Sequence, residues 1–210
     1  MVFLKKEGER ICMKIPELVK HSRSIRRFRG EIPVSRETLT ELIDCARMTP
    51  SSVNRQPLRY VMSSEEETNR VLRSCTRWAG LLRDWDGPQG TENPAAYIVI
   101  CCDRNIGPAS SYAYDAGIAA QTILLAAAER GLGGCIIGSV ERETVKEALT
   151  WDEDLEIMLV IALGVPGEEI VLEELPDGAS TAYYRDENGV HHVPKRSLES
   201  VMTDAEIRKR

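Results

Sequence analysis

The stretch from Tyr112 to Ser139 constrains this chain more than any other. Gly117, Ile118, Ala119, Ala120, Ile123, Leu124, Leu125, Ala126, Ala127 and Ala128 follow one another with only Gln121 and Thr122 between them, after Tyr114 and Asp115. A helix from Ala113 to Ala128 that is apolar on nearly every side belongs in a core or an interface, not on a wet surface. Alanine and glycine at 116, 117, 119 and 120 let another backbone come close, from this chain or from a second one. Gly131, Gly133 and Gly134 are expected to end the helix, and Cys135-Ile136-Ile137 to form a short buried strand closed by Gly138. The stretch therefore predicts helix, glycine turn and strand, with bare backbone at the strand's end.

The flanking elements follow from local signals. Pro16 to Lys20 predicts a short helix with proline in its first turn. Ser35 reads as the N-cap of a helix from Arg36 to about Met48, with Leu39, Leu42, Ile43 and Ala46 as its buried stripe. Arg59 to Ser63 predicts a strand, and Ser64 the cap of a helix with Glu65, Glu66 and Glu67 in its first turn, running towards Leu82. Trp85 to Pro94 is expected to be a loop, with Trp78 and Trp85 as candidate pocket walls or core residues. The apolar runs Tyr97 to Cys102 and Ile157 to Leu163 predict central strands, and Glu141 to Leu149 a surface helix. Beyond Gly164-Val165-Pro166-Gly167 the chain lacks a helical stripe. Asn188-Gly189 predicts a two-residue hairpin turn, and a last helix starts at about Ser197. Such an arm has too little apolar content to fold alone, so it is expected to lie on something, a partner subunit in particular.

Charge and cysteine usage exclude several classes. With 210 residues, 42% of them apolar, the chain can bury a real core as one large domain or two small ones. A net charge of −6 argues against general nucleic-acid or membrane-surface binding. The absence of a long apolar run and of an apolar leader at the N-terminus predicts a cytoplasmic location. Cys12, Cys45, Cys75, Cys101, Cys102 and Cys135 form no CxxC and lie far from His21, His191 and His192, so they read as buried small residues and no metal site is expected.

Against that acidic background, His21-Ser22-Arg23-Ser24-Ile25-Arg26-Arg27-Phe28-Arg29 holds five basic side chains in nine residues. Arginine forks and serine hydroxyls suit a phosphate, and a solvated basic turn fits the segment equally well. The loop Pro50-Ser51-Ser52-Val53-Asn54-Arg55-Gln56-Pro57 could read the edge of a heterocycle or simply turn the chain.

The segment Ser22 to Phe28, the loop PSSVNRQP, the stretch DAGIAAQTILLAAAERGLGGCIIGS, the strand ending LGVPGE and the closing HHVPKRSLESV resemble, in that order, the motifs of the FMN-dependent nitroreductase family. The resemblance covers nearly all of the chain from about residue 16. It implies an α+β fold with a central mixed sheet flanked by helices, in one domain (16–210) after an N-terminal segment (1–15). It further implies an intertwined homodimer, two FMN sites at the interface, and an arm from about residue 166 that embraces the other subunit. By motif, Arg23 and Ser24 would hold the FMN phosphate, with Lys195 and Arg196 approaching it from the other side. Arg26 would act catalytically near the N1 and O2 edge of the flavin. Ser51, Ser52 and Asn54 would come from the partner subunit, and backbone at Ile137 and Gly138 would face the N5 and O4 edge. The family often has arginine where this chain has Ser22, so that contact is either missing or supplied by Arg27 or Lys195.

The activity so implied is an NADH- or NADPH-dependent reduction of nitro compounds, quinones or a related small electrophile by a ping-pong hydride transfer. A cation such as Arg26 would stabilise the negative charge of a reduced flavin, and nicotinamide stacking on the flavin would need no GxGxxG site. Substrate choice is expected from the loop between Trp78 and Asn93. Two alternatives remain: a flavin-binding protein without turnover, acting as sensor, store or assembly subunit, and a phosphate-binding protein for another nucleotide.

Overall fold

The strand Ala96–Asp103 (β2) is buried along its first seven residues, and the layers of the first structural unit follow from it. In the computed structural model, which describes residues 13–82 and 84–205, β2 lies between β1 (Leu58–Ser63) and β4 (Leu155–Gly164), and β3 (Gly133–Ile137) completes the sheet in the order β1-β2-β4-β3. Every pair in this sheet is antiparallel. The expected mixed character is reduced, among the described residues, to one parallel bridge at its edge, between Ser24 and Gly134.

Alternate residues of β2 serve opposite faces. Ala96, Ile98 and Ile100 join Leu39, Leu42 and Ala46 of α2 (Arg36–Arg47) and Ala120, Ile123 and Leu124 of α4 (Ala113–Glu129) in one core. Tyr97 lies within electrostatic reach of Glu66 and Arg73 of α3 (Glu66–Ser74), and Cys101 of Lys146 in α5 (Arg142–Ala148). A strand covered on both faces has no polar side to present, which is why its sequence is one apolar run. Full burial of a side chain such as Ile98 or Ile100 contributes about 1.5–3 kcal/mol.

Helix ends follow local chemistry in α2, where Ser35 Oγ accepts the Thr38 N–H at 3.1 Å. They depart from expectation in α3. Glu65, not Ser64, is the N-cap residue and no side chain caps the helix; Ser63 Oγ accepts the Glu65 N–H at 3.2 Å just before it, and the helix stops at Ser74 instead of running to Leu82. The reason is a competing partner: Thr76 bridges Val140 and the Arg77 N–H donates to Ser139 O at 3.0 Å, so the backbone leaves the helix to pair with the chain after β3.

The apolar helix α4 is buried on one face only. Tyr114 is 88% exposed and Ile118 44% exposed on the other. Gly131, with φ 73°, ends it, but Gly133 and Gly134 belong to β3 and not to a turn. A Cβ on Gly133 would stand 2.5 Å from Ile25 Cγ1, so glycine there admits the basic segment against the strand. Cys75, Cys101, Cys102 and Cys135 are buried and Cys45 is partly so, all of them free thiols; burial pushes the Cys101 thiol up to about 12. Among the described residues no cluster of three metal-ligating side chains occurs, and no helix is long and apolar enough to cross a membrane. Cys12 and most of the N-terminal segment lie outside the described residues.

A second unit begins at Glu168. It contains a strand that the sequence pattern does not predict, β5 (Ile170–Glu174), parallel to β7 (His191–Lys195), while β6 (Tyr184–Arg185) pairs antiparallel with β7. The arm thus carries its own three-stranded sheet. Its hairpin turn is longer than the two residues expected. The Asp186 N–H donates to Val190 O, the Gly189 N–H to Asp186 O, and Gly189 has φ 78°. The Asp186 carboxylate shapes this turn by accepting the N–H groups of Asn188 and Val190 at 3.0 and 2.8 Å. Arg185 pairs with Glu168 at 2.9 Å, and Ser197 caps the final helix α6 (Leu198–Val201).

Candidate active site

The basic segment is laced to its surroundings by backbone. After α1 (Ile15–His21), the Ile25 N–H donates to Gly134 O of β3, Phe28 N–H to Glu92 O, Arg29 N–H to Val165 O, and Gly167 N–H to Arg27 O. Three separate parts of the first unit therefore hold residues 25 to 29 in place, and the side chains around them are displayed from a fixed backbone.

Arg23 is half-buried. Its Nε donates to Ser22 O and its Nη2 to Val19 O, each at 2.7 Å. Among the described residues no carboxylate pairs with it, and burial holds the guanidinium below its ordinary value. A partly desolvated cation with only neutral carbonyl partners retains charge and donors to offer an anion. Ser24 beside it is exposed, and Arg26 Nη1 donates to Ser24 O at 3.2 Å. Ser22, where a further cation was sought, is 9% exposed and serves as the C-cap of α1. Arg27 is committed elsewhere: it pairs with Glu92 at 3.4 Å and lies 5.9 Å over the Trp85 ring. Trp78 is buried against Gly87, so of the two tryptophans only Trp85 keeps part of its surface open.

The bridge at Gly134 places this segment on the strand that ends at Ile137 and Gly138. Gly138 is exposed, and a Cβ there would meet nothing closer than Leu159 Cδ2 at 3.9 Å. At the end of β3, therefore, no side chain crowds the Gly138 Cα.

The loop from Pro50 to Pro57 stands apart from these residues in sequence and is held by a different device. Ser51 Oγ accepts the Gln56 N–H at 3.0 Å, and the Asn54 N–H donates to Ser51 O. Asp115, 5% exposed in the first turn of α4, accepts the Ser52 N–H at 2.7 Å. Val53, Asn54 and Gln56 all have positive φ, of 51°, 52° and 49°. A β-branched residue in that region is strained, and Val53 is 88% exposed, so packing does not repay the strain. Backbone strain of this kind is concentrated at ligand clamps and active sites, which makes this loop a candidate. Asp115 and Val53 are the residues that sequence reasoning missed. The only available signals were one acid in an apolar helix and one β-branched residue in a turn.

Lys195 and Arg196, at the end of β7 in the second unit, are exposed. In that unit His192 Nδ1 lies 2.6 Å from Glu173 Oε1, and the His192 ring stacks on Tyr184 at 4.8 Å.

These residues fit a flavin mononucleotide at both of its ends: an uncompensated guanidinium with an adjacent exposed hydroxyl for a phosphate, and a side-chain-free strand end for a ring. A profile of the nitroreductase family matches residues 19–87 and 88–165. The chain is 26% identical over 172 residues to an Archaeoglobus fulgidus protein named for NADH dehydrogenase or NAD(P)H nitroreductase, covering 79% of this chain and 91% of that one. It is also 26% identical to the 5,6-dimethylbenzimidazole synthase of Rhodospirillum rubrum, over 75% of this chain and 84% of the relative. A Desulfovibrio desulfuricans protein solved with FMN superposes with a TM-score of 0.65 at 22% identity, over 92% of this chain and 97% of that one. Fold, motif order and family profile agree, and this chain belongs to the nitroreductase family.

Proposed function

We propose that the protein is an FMN-dependent oxidoreductase that draws hydride from NADH or NADPH and reduces a small electrophile, such as a nitro compound or a quinone. The observation that carries this reading is Arg23, a half-buried guanidinium without a carboxylate partner among the described residues, on a segment bridged to the strand that ends in bare backbone at Gly138. Bound FMN would supply the hydride acceptance and donation that no side chain here can perform. Arg23 and Ser24 would hold its phosphate, with Lys195 and Arg196 as a second source of positive charge. Arg26 would place its own positive charge where negative charge accumulates on reduction, and the backbone at Ile137 and Gly138 would orient the ring. Reductant and acceptor would use the same space in turn, giving ping-pong kinetics. A NADPH-flavin oxidoreductase of Vibrio harveyi, 28% identical over 167 residues, supports the choice of reductant.

A homodimer belongs to the same proposal. Ala113, Tyr114, Gly117, Ile118, Gln121 and Thr122 line an open groove on α4, and an exposed face this apolar favours a second copy, which would bring Ser51, Ser52 and Asn54 to the flavin. Light scattering on the wild type and on Ile118→Asp should give a dimer and a weakened dimer respectively; a monomeric wild type would overturn this part.

The decisive experiment is an absorption spectrum of the purified protein followed by anaerobic NADH and then NADPH. A flavin band that bleaches is the expected result. A band that persists with both donors would convert the protein into a flavin-binding module without turnover, and no band after adding FMN would overturn the cofactor assignment.

A further inference from the structure

Arg142 opens α5, where a cation faces the positive end of the helix dipole. Helix stability gives no reason for arginine there, and its side chain turns to other partners. Nε donates to Ile157 O at 2.9 Å, Nη1 to Val140 O at 3.3 Å, and Nη2 to both Gly138 O and Met158 O at 3.3 Å. Two of these carbonyls belong to the chain leaving β3 and two to β4. Among the described residues no carboxylate forms an ion pair with Arg142, so its donors are committed to backbone.

The clasp sits where the sheet ceases to control the chain. The β3–β4 ladder ends at the pair Ile137 and Val160. Gly138 lies one residue beyond it, and glycine outside a ladder has the widest backbone freedom of any residue. The planar guanidinium removes that freedom. Its donors diverge in fixed directions, so engaging carbonyls of two segments at once sets their separation and the tilt of the Gly138 peptide. The Ser139 carbonyl is held in turn by the Arg77 N–H at 3.0 Å.

We infer that Arg142 is a positioning residue whose four-carbonyl clasp fixes the tilt of the Gly138–Ser139 peptide, and with it the direction of the Ser139 N–H and the seat of the flavin ring. The inference rests on the flavin reading above. It differs from a purely structural role because it acts on an amide that contributes no packing of its own.

The test compares wild type, Arg142→Met and Arg142→Lys, each with and without FMN. In the FMN-free protein, the amide resonance of Ser139 should move in both variants while α4 amides are unchanged. The FMN dissociation constant should rise about three- to tenfold, the equivalent of one misdirected hydrogen bond, with a changed visible circular dichroism of the bound flavin. If Arg142→Met does not fold, Arg142→Lys carries the comparison, because lysine keeps the charge and loses the fork. Variants that melt lower but keep the wild-type Ser139 amide resonance, the same FMN affinity and the same flavin spectrum would overturn the inference and leave Arg142 as scaffold. A wild type that binds no FMN would overturn the flavin reading itself, an outcome distinct from variants that bind FMN as the wild type does.

Discussion

Asp115 accepts the backbone N–H of Ser52 at 2.7 Å, tying the first turn of α4 to a loop 63 residues earlier. The acid is buried, favoured there by the helix dipole, and it receives a donor that the loop cannot satisfy alone. Replacing Asp115 by Ala should cost about 1.5–3 kcal/mol, the range for a hydrogen bond to a charged group. Asp115→Asn keeps an acceptor and should cost about half as much. Urea denaturation measures both, and equal losses for the two variants would mean that the hydrogen bond is not the stabilising element.

Val53 holds φ 51° with its side chain in water. Asn or Gly adopts that conformation more readily, so Val53→Asn should stabilise the protein by about 1 kcal/mol. A rise in the melting temperature is the expected reading. A fall would show that the side chain has a partner in the assembled protein.

Gly133 admits Ile25 against β3. Gly133→Ala would place a Cβ 2.5 Å from Ile25 Cγ1 and 3.0 Å from Pro166 Cγ. Overpacking of this kind costs about 1–3 kcal/mol, and the basic segment should shift away from the strand. Thermal denaturation and the Ile25 amide exchange rate check the two parts separately.

Arg23 supplies the charge on which the phosphate assignment depends. Arg23→Gln should weaken FMN binding by about 10- to 100-fold, as for a lost charge-assisted contact, and inorganic phosphate should protect the wild type more than the variant from unfolding. Equal FMN affinity in both would remove Arg23 from the site.

His192 links the second unit to pH. Its hydrogen bond to Glu173 raises its affinity for protons, desolvation opposes this, and Asp186, 3.4 Å from Nε2, reinforces it. With the folded value above the ordinary 6.5, the stabilisation is complete below pH 6.5 and is lost as pH rises through the folded value. Asp186 has the opposite sense. Burial pushes it up, but the Val190 N–H and its other donors bring it below its ordinary 3.8, so its contribution is lost only as pH falls through that lowered value. Trypsin cleavage after Arg185 should therefore quicken between about pH 6 and pH 8 beyond the enzyme's own pH response. In His192→Gln that slope should vanish.

What the sequence by itself determined was whatever a short window of residues decides. The run through β2, the spacing of Leu39, Leu42 and Ala46 with the Ser35 cap, and the body of α4 are set by neighbours within a few positions, since strand burial, helical stripes and caps are local patterns. The order of motifs was legible for the same reason, and it led to the family. The early end of α3, the strand role of Gly133 and Gly134, and β5 depended on partners far along the chain. Thr76 leaves the helix for Val140, Gly133 is small because Ile25 lies on it, and Ile170 becomes strand by pairing with His191. The same holds for the site. Arg23, Ser24 and Gly138 were proposed through the motif resemblance, but Asp115 reaching Ser52 and Arg142 gathering carbonyls from two segments were decided only by tertiary structure. A hydrogen bond between distant residues leaves no periodicity behind, and backbone carbonyls look alike in every sequence.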